Sequence, residues 1–149
     1  MKYAFTMIEL IFVIVILGIL AAVAIPKLSA TRDDATIARM SQVISVSVSE
    51  IASYAVARGE TLNDLSLMSN GISSMVARNE ATLDQANKAV DIIMGNRANC
   101  VRIALVASAE DENLTVTLGA AGDNRCDALQ NIFDSAVFPI AVRGAQVVY

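Results

Sequence analysis

Glu9 is the first residue of this chain that needs a chemical explanation. It stands immediately before Leu10–Ile25, 16 residues without a charged or strongly polar side chain. A carboxylate beside or within such a stretch is costly unless an opposite charge or hydrogen-bond donors receive it. Other groups capable of chemistry are few. Cys100 and Cys126 are the only cysteines, and there is no histidine. Without histidine the commonest general base and the Ser-His-Asp arrangement are excluded. No CxxC is present either, so zinc and thiol-redox chemistry have little support. No glycine-rich loop leads into a basic residue at phosphate-cradling spacing. Glu110, Asp111, Glu112 and Asn113 are hard oxygen donors. Consecutive acids do not match the alternating ligands of a calcium loop, so a solvated hairpin turn is expected there, with a cation site as the alternative. Asp123 and Asp127, which flank Cys126, are read the same way. The expectation is a protein that is not an enzyme and has no cofactor.

The element that must position Glu9 is the apolar run itself. As a helix, Leu10–Ile25 spans roughly 24 Å, short of a hydrocarbon core of about 30 Å. Adding Phe5–Ile8 brings the length close to enough but places Glu9 inside the bilayer. Three readings compete. One is a plain membrane anchor with Glu9 near an interface. Another is a secretory signal peptide, with Lys2 as a thin basic region and Ala22-Val23-Ala24 as the cleavage site. The third puts the cut before the apolar run, between Ala4 and Phe5, so that the helix is retained. Only the third supplies Glu9 with a partner. Cleavage there creates an amino group on Phe5, and in staggered parallel helices Glu9 of one subunit can meet the Phe5 ammonium of the next.

Phe5-Thr6-Met7-Ile8-Glu9-Leu10, the apolar run with Gly18, and Ala21-Ala22-Val23-Ala24-Ile25-Pro26 closely resemble the N-terminus of type IV pilins and type II secretion pseudopilins. The resemblance covers about 22 residues and continues more loosely into the helix after Pro26. It implies processing by a prepilin peptidase and methylase at Ala4/Phe5, N-methylation of Phe5, and assembly into a filament through Phe5 and Glu9. The family usually has glycine before the cut, where this chain has the small residue Ala4. Some pseudopilins bind calcium in the part of the fold where Glu110–Asn113 lie.

The 149 residues leave room for one soluble body of about 120 residues after the terminal helix. The formal net charge of −4 disfavours nucleic-acid binding, which needs a basic face. Lys2 before the span is countered by Lys27 and Arg32 after it, partly offset by Asp33 and Asp34, so charge alone sets orientation weakly. If the body faces an oxidising space, Cys100 and Cys126 can pair, and two cysteines allow one intramolecular connectivity. Two free buried thiols are the alternative.

The domain plan has five parts: a leader at 1–4, an apolar transmembrane or assembly helix at 5–26, an amphipathic half of the same helix at 27–58, a helical connecting region at 59–99 and a β-rich region at 100–149. Ile37, Met40, Ile44, Val48, Ile51 and Ala55 make one helical face. Arg58-Gly59 is a stop, and Pro26 is expected to kink or locally unwind the helix. Ile44–Ser49 alternates as a strand would, yet the helical period runs through both flanks. Thr61–Ser69 reads as a short helix stopped by Asn70-Gly71, and Ile72–Arg78 is ambiguous. Ala81–Met94 reads as a helix through Leu83, Ala86, Val90 and Ile93. Cys100–Val106 and Leu114–Leu118 read as an antiparallel hairpin, and Asp127–Phe133 as a short helix or loop. Val137–Val142, at an edge because of Pro139, and Ala145–Tyr149 are strand candidates, with Arg143-Gly144 between them. The fold class is α+β, a long N-terminal helix against a small antiparallel sheet, as the resemblance also implies.

The functional expectation is a structural subunit of a type IV pilus-like or type II secretion pseudopilus filament. Its partners would be the inner membrane, other pilin-like subunits and an assembly platform, with the C-terminal body periplasmic and then part of a periplasmic or extracellular filament. A membrane-anchored, non-assembling binding module, adhesin- or receptor-like, is the alternative.

Overall fold

The computed structural model describes residues 6–107, 111–133 and 137–143. They fall into two compact units, Met1–Thr36 and Ile37–Tyr149. Helix α1 spans Met7–Arg58 and runs unbroken past Pro26, so local unwinding there is not found.

Within the second unit, α1 buries Ile37, Met40, Ile44, Ser47, Val48, Ile51 and Ala55. These include all six residues that the helical period points inward. The alternation over 44–49 does not produce a strand, because the apolar face on both sides keeps the 3.6-residue period. Ser45 and Ser49 instead donate to the carbonyls of Ser41 and Ser45, at 3.0 and 3.2 Å. The helix ends as Arg58 lies over the Tyr54 ring and Gly59 turns to a φ of 67°.

A single turn of 3-10 helix at Leu65–Leu67 comes next, capped by Asp64. Helix α2 (Asn70–Ala77) begins where a stop was expected, with Ser69 as its cap. The Asn70-Gly71 pair opens this helix because Ser69 Oγ accepts from Ile72 N and Glu50 accepts from Gly71 N, while Gly71 itself lies against α1. A Cβ on Gly71 would strike Ser47 Oγ. Ser47 is fully buried, and its hydroxyl is the buried side-chain group without a hydrogen-bond partner among the described residues. Glu50 of α1 accepts from Ser69 Oγ at 2.6 Å and Gly71 N at 3.1 Å, so its carboxylate meets the donors at the start of α2.

The helix expected over 81–94 is not there. The segment forms strands β1 (Ala81–Asp84) and β2 (Ala89–Met94), so the connecting region is only partly helical. Two physical causes decide it. Asp84 accepts from the backbone of Asn87, and Lys88 takes a left-handed conformation (φ 47°), which together form a turn and end any helix. Beyond it, Val90, Ile92 and Met94 are buried in alternation, the period of a strand. Strands β3 (Arg97–Ala107), β4 (Glu112–Leu118) and β5 (Ile140–Arg143) complete an antiparallel sheet of order β1-β2-β3-β4-β5. Strand β5 is an edge and starts just after Pro139, which has no N–H to donate to a ladder. Helix α3 (Asn124–Gln130) lies between β4 and β5 in sequence, three residues earlier than expected. Ala145–Tyr149, Gly144 and Glu110 lie outside the described residues.

The core of this unit joins the inward face of α1 to Leu65, Ile72, Met75, Val90, Ile92, Val101, Ile103, Leu114, Val116 and Leu129. Each fully buried aliphatic side chain contributes about 1.5–3 kcal/mol. Polar ties fix the periphery. Arg39 grips both oxygens of Glu80, which Arg78 also approaches at 3.2 Å. Lys88 donates to Glu112 at 2.8 Å and to Thr61 at 3.0 Å. Arg102 bridges Asp84 and Asp91.

Cys100 and Cys126 are bonded, with Cα atoms 5.6 Å apart, and both are fully buried. The bond ties the start of α3 to β3. Asp123 reinforces it by accepting from Asn96 N, Arg125 N and Cys126 N at 3.1–3.2 Å. Those backbone donors, that of Asn96 first, hold the Asp123 carboxyl below the usual aspartate range. A depressed carboxyl adds stability above its unfolded pKa of about 3.9, and this is lost as pH falls through the folded value. Asp123→Ala is therefore expected to lower the urea midpoint of the detergent-solubilised chain at pH 7, with the gap to wild type narrowing below about pH 4. A gap that stays constant from pH 7 to pH 2.5 would refute this role.

Candidate functional site in the N-terminal helix

The first turn of α1 is built by a reciprocal pair. Thr6 precedes the helix, and its Oγ1 accepts from Glu9 N at 3.3 Å. Glu9 Oε2 in return accepts from Thr6 N at 3.0 Å and from Thr6 Oγ1 at 2.8 Å. This is a capping box, T-x-x-E, which satisfies backbone donors that a helix start leaves open. Glu9 thus has a partner within its own chain, in addition to any it meets in a neighbour. The sequence signal for it is Thr6 and Glu9 three residues apart ahead of an apolar run.

Beyond the cap, the helix is apolar on every side as far as Ile25, and its described side chains there are exposed. Ile8 is 76% exposed, Phe12 66%, Leu17 58% and Ile25 65%, and these residues point in different directions around the axis. The helix is long and apolar enough to cross a membrane. A helix that is apolar all round is stable only when lipid or other protein surrounds it. Gly18 meets nothing within 4 Å of where a Cβ would be. No contact among the described residues therefore requires glycine there. Pro26 gives no N–H to the carbonyl one turn back, and Thr31 and Thr36 bond to the carbonyls of Lys27 and Arg32. The expected processing residues Ala4 and Phe5 lie outside the described residues.

The remaining candidates belong to the second unit. Glu112, read from sequence as part of a solvated turn, is 6% exposed and engaged by Lys88 and Thr61. Among the described residues no three acidic, cysteine or histidine side chains could hold a metal ion. A groove of about 680 Å³ runs beside Ser45, Ser49, Ser53, Tyr54 and Asn70. Its one charged residue, Glu50, is occupied by Ser69 and Gly71.

Residues 1–25 match the family model described as the prokaryotic N-terminal methylation motif. No curated protein and no solved structure matches the chain. The matched stretch ends at Ile25, where the uncovered apolar run also ends. The chain carries the N-terminal methylation segment that is the hallmark of type IV pilins and pseudopilins.

Proposed function

We propose that this protein is a structural filament subunit of the type IV pilus or type II secretion pseudopilus kind. The observation that carries the reading is the apolar helix of the first unit, uncovered on all sides and headed by Glu9, within the matched methylation segment. Such a helix first lies in the inner membrane as a single span with the C-terminal unit on the periplasmic side. A prepilin peptidase cuts between Ala4 and Phe5 and methylates the new amino group. The helix then passes from lipid to a bundle of neighbouring helices, where the same surface is buried again. Glu9 Oε2 holds Thr6, and its other oxygen is available to the Phe5 ammonium of an adjacent subunit. Pro26 bends the helix where the apolar part gives way to the charged residues Lys27 and Arg32.

The test is to express the chain with a prepilin peptidase and an assembly platform. Peptide sequencing is expected to find a mature start at N-methyl-Phe5, and electron microscopy to find filaments containing the chain. A start after Ala24 would identify a removed signal peptide and overturn the proposal. Membrane-bound, correctly processed protein that never enters filaments would favour the anchored binding module.

A further inference from the structure

Asn113 is the chain's only asparagine with serine or threonine two positions later. The tripeptide Asn113-Leu114-Thr115 is an acceptor pattern for N-glycosylation. Asp111 places an acid two positions before it, a charge that a transferase with a cationic groove can hold.

The sheet places these residues suitably. Strand β4 alternates between faces, with Glu112, Leu114 and Val116 turned inward and Asn113 and Thr115 on the opposite face. The residues paired with Asn113 are Val106 on β3 and Ala141 on β5. Ala104 faces Thr115. All three neighbours are short, Val106 is half exposed and Ala141 is exposed. Among the described residues, then, the strand neighbours of half-buried Asn113 on this face are short, and a large group on Nδ2 would lie on the face opposite the core.

We propose that Asn113 is the acceptor of an N-linked oligosaccharide, supplied from a lipid pyrophosphate carrier. Nδ2 forms a bond to C1 of the first sugar while the bond from C1 to the pyrophosphate oxygen breaks. The pyrophosphate leaves with the electron pair, and the proton lost by the amide ends on the departing pyrophosphate. An amide nitrogen is a poor nucleophile, so the transferase must grip the segment on both sides. Asp111 and Thr115 provide those two handles. In the folded sheet Thr115 Oγ1 donates to Ala104 O at 3.1 Å, and β4 is paired on both edges. Transfer therefore precedes closure of the sheet, during export, and the finished fold presents the glycan on its solvent face. The inference rests on the periplasmic placement of the second unit proposed above.

The full chain is to be produced in bacteria carrying a periplasmic oligosaccharyltransferase and its lipid-linked oligosaccharide, beside an identical strain with the transferase inactivated. Mass spectrometry is expected to find one glycan on the peptide containing Asn113. It is lost without the active transferase and in Asn113→Gln and Thr115→Val, and reduced in Asp111→Ala. The state of Cys100 and Cys126 is read in the same samples by alkylation before reduction. An unmodified Asn113 in disulfide-bonded protein, while a control acceptor in those cells is glycosylated, overturns this inference and leaves the filament reading standing. Both cysteines carrying the alkylating label would mean that the unit never reached an oxidising space, which overturns the placement and this inference together. A glycan on any other residue also overturns it.

Discussion

Glu9→Gln is expected to reduce filament yield at least about tenfold while leaving membrane level and N-terminal processing near wild type. Glutamine is also accepted at this place in a capping box, so the first turn of α1 keeps its bonds to Thr6 in this variant. What disappears is the charge. An isolated carboxylate in lipid is a liability, so its removal does not hinder insertion. In an assembled bundle the loss leaves the Phe5 ammonium of a neighbour without its counter-ion in a low-dielectric core, and this recurs at every subunit. Glu9→Leu removes cap and charge together and serves as the comparison. If glutamine assembles normally and leucine does not, Glu9 is a helix cap and the pairing model is wrong. If both fail after normal processing, charge is what assembly needs.

Removing the disulfide gives the second large effect. Cys100→Ala with Cys126→Ala opens a loop of sequence separation 26. The chain-entropy relation puts the loss at about 3–4 kcal/mol, corresponding to a fall of roughly 10 °C or more in Tm for a unit of this size. Other ties to the same segment persist. Gln130 Nε2 donates to Cys100 O at 2.8 Å and to Gly119 O at 3.1 Å, and Arg97 donates to Ala121 O. The double variant is therefore expected to fold but to lose amide-exchange protection first over α3. Because both cysteines are fully buried, reductant acts on the native protein only as quickly as the unit opens. An unfolding free energy from urea titration within about 1 kcal/mol of wild type would show that the remaining bonds suffice.

What could be read from sequence tracked the range of the forces involved. The inward face of α1 and strands β3 and β4 are repeating local patterns, and they were legible. The segment 81–94 was not, because its apolar residues satisfy two periods at once. Leu83, Ala86, Val90 and Ile93 fit a helix, while Val90, Ile92 and Met94 fit a strand. Pairing with β3, in which Val90 meets Ile103 and Ala89 meets Ala104, decides between them. Gly71 misled for a related reason. Its purpose is room for Ser47, 24 residues earlier, and no local pattern records such a contact. At the candidate site, the apolar run and Glu9 were legible from composition, and the methylation motif agrees with them. The bond between Thr6 and Glu9 is a local pattern too, yet it was not read, because a carboxylate ahead of an apolar run points first to a partner outside the chain.

The fork between Arg39 and Glu80 bears on mechanics. In the proposed filament, a pull on the terminal helix would enter the second unit through the first residues of α1 that belong to it. Those that grip it are Ile37, Arg39 and Met40. Two of them, Ile37 and Met40, are buried apolar contacts without directional bonds. The third is fastened by two bonds to Glu80, in the short link between α2 and β1. Load on the helix is thereby passed to the edge of the sheet at its point of entry and is not left to peel the apolar face away residue by residue. The rivet sits where peeling would start.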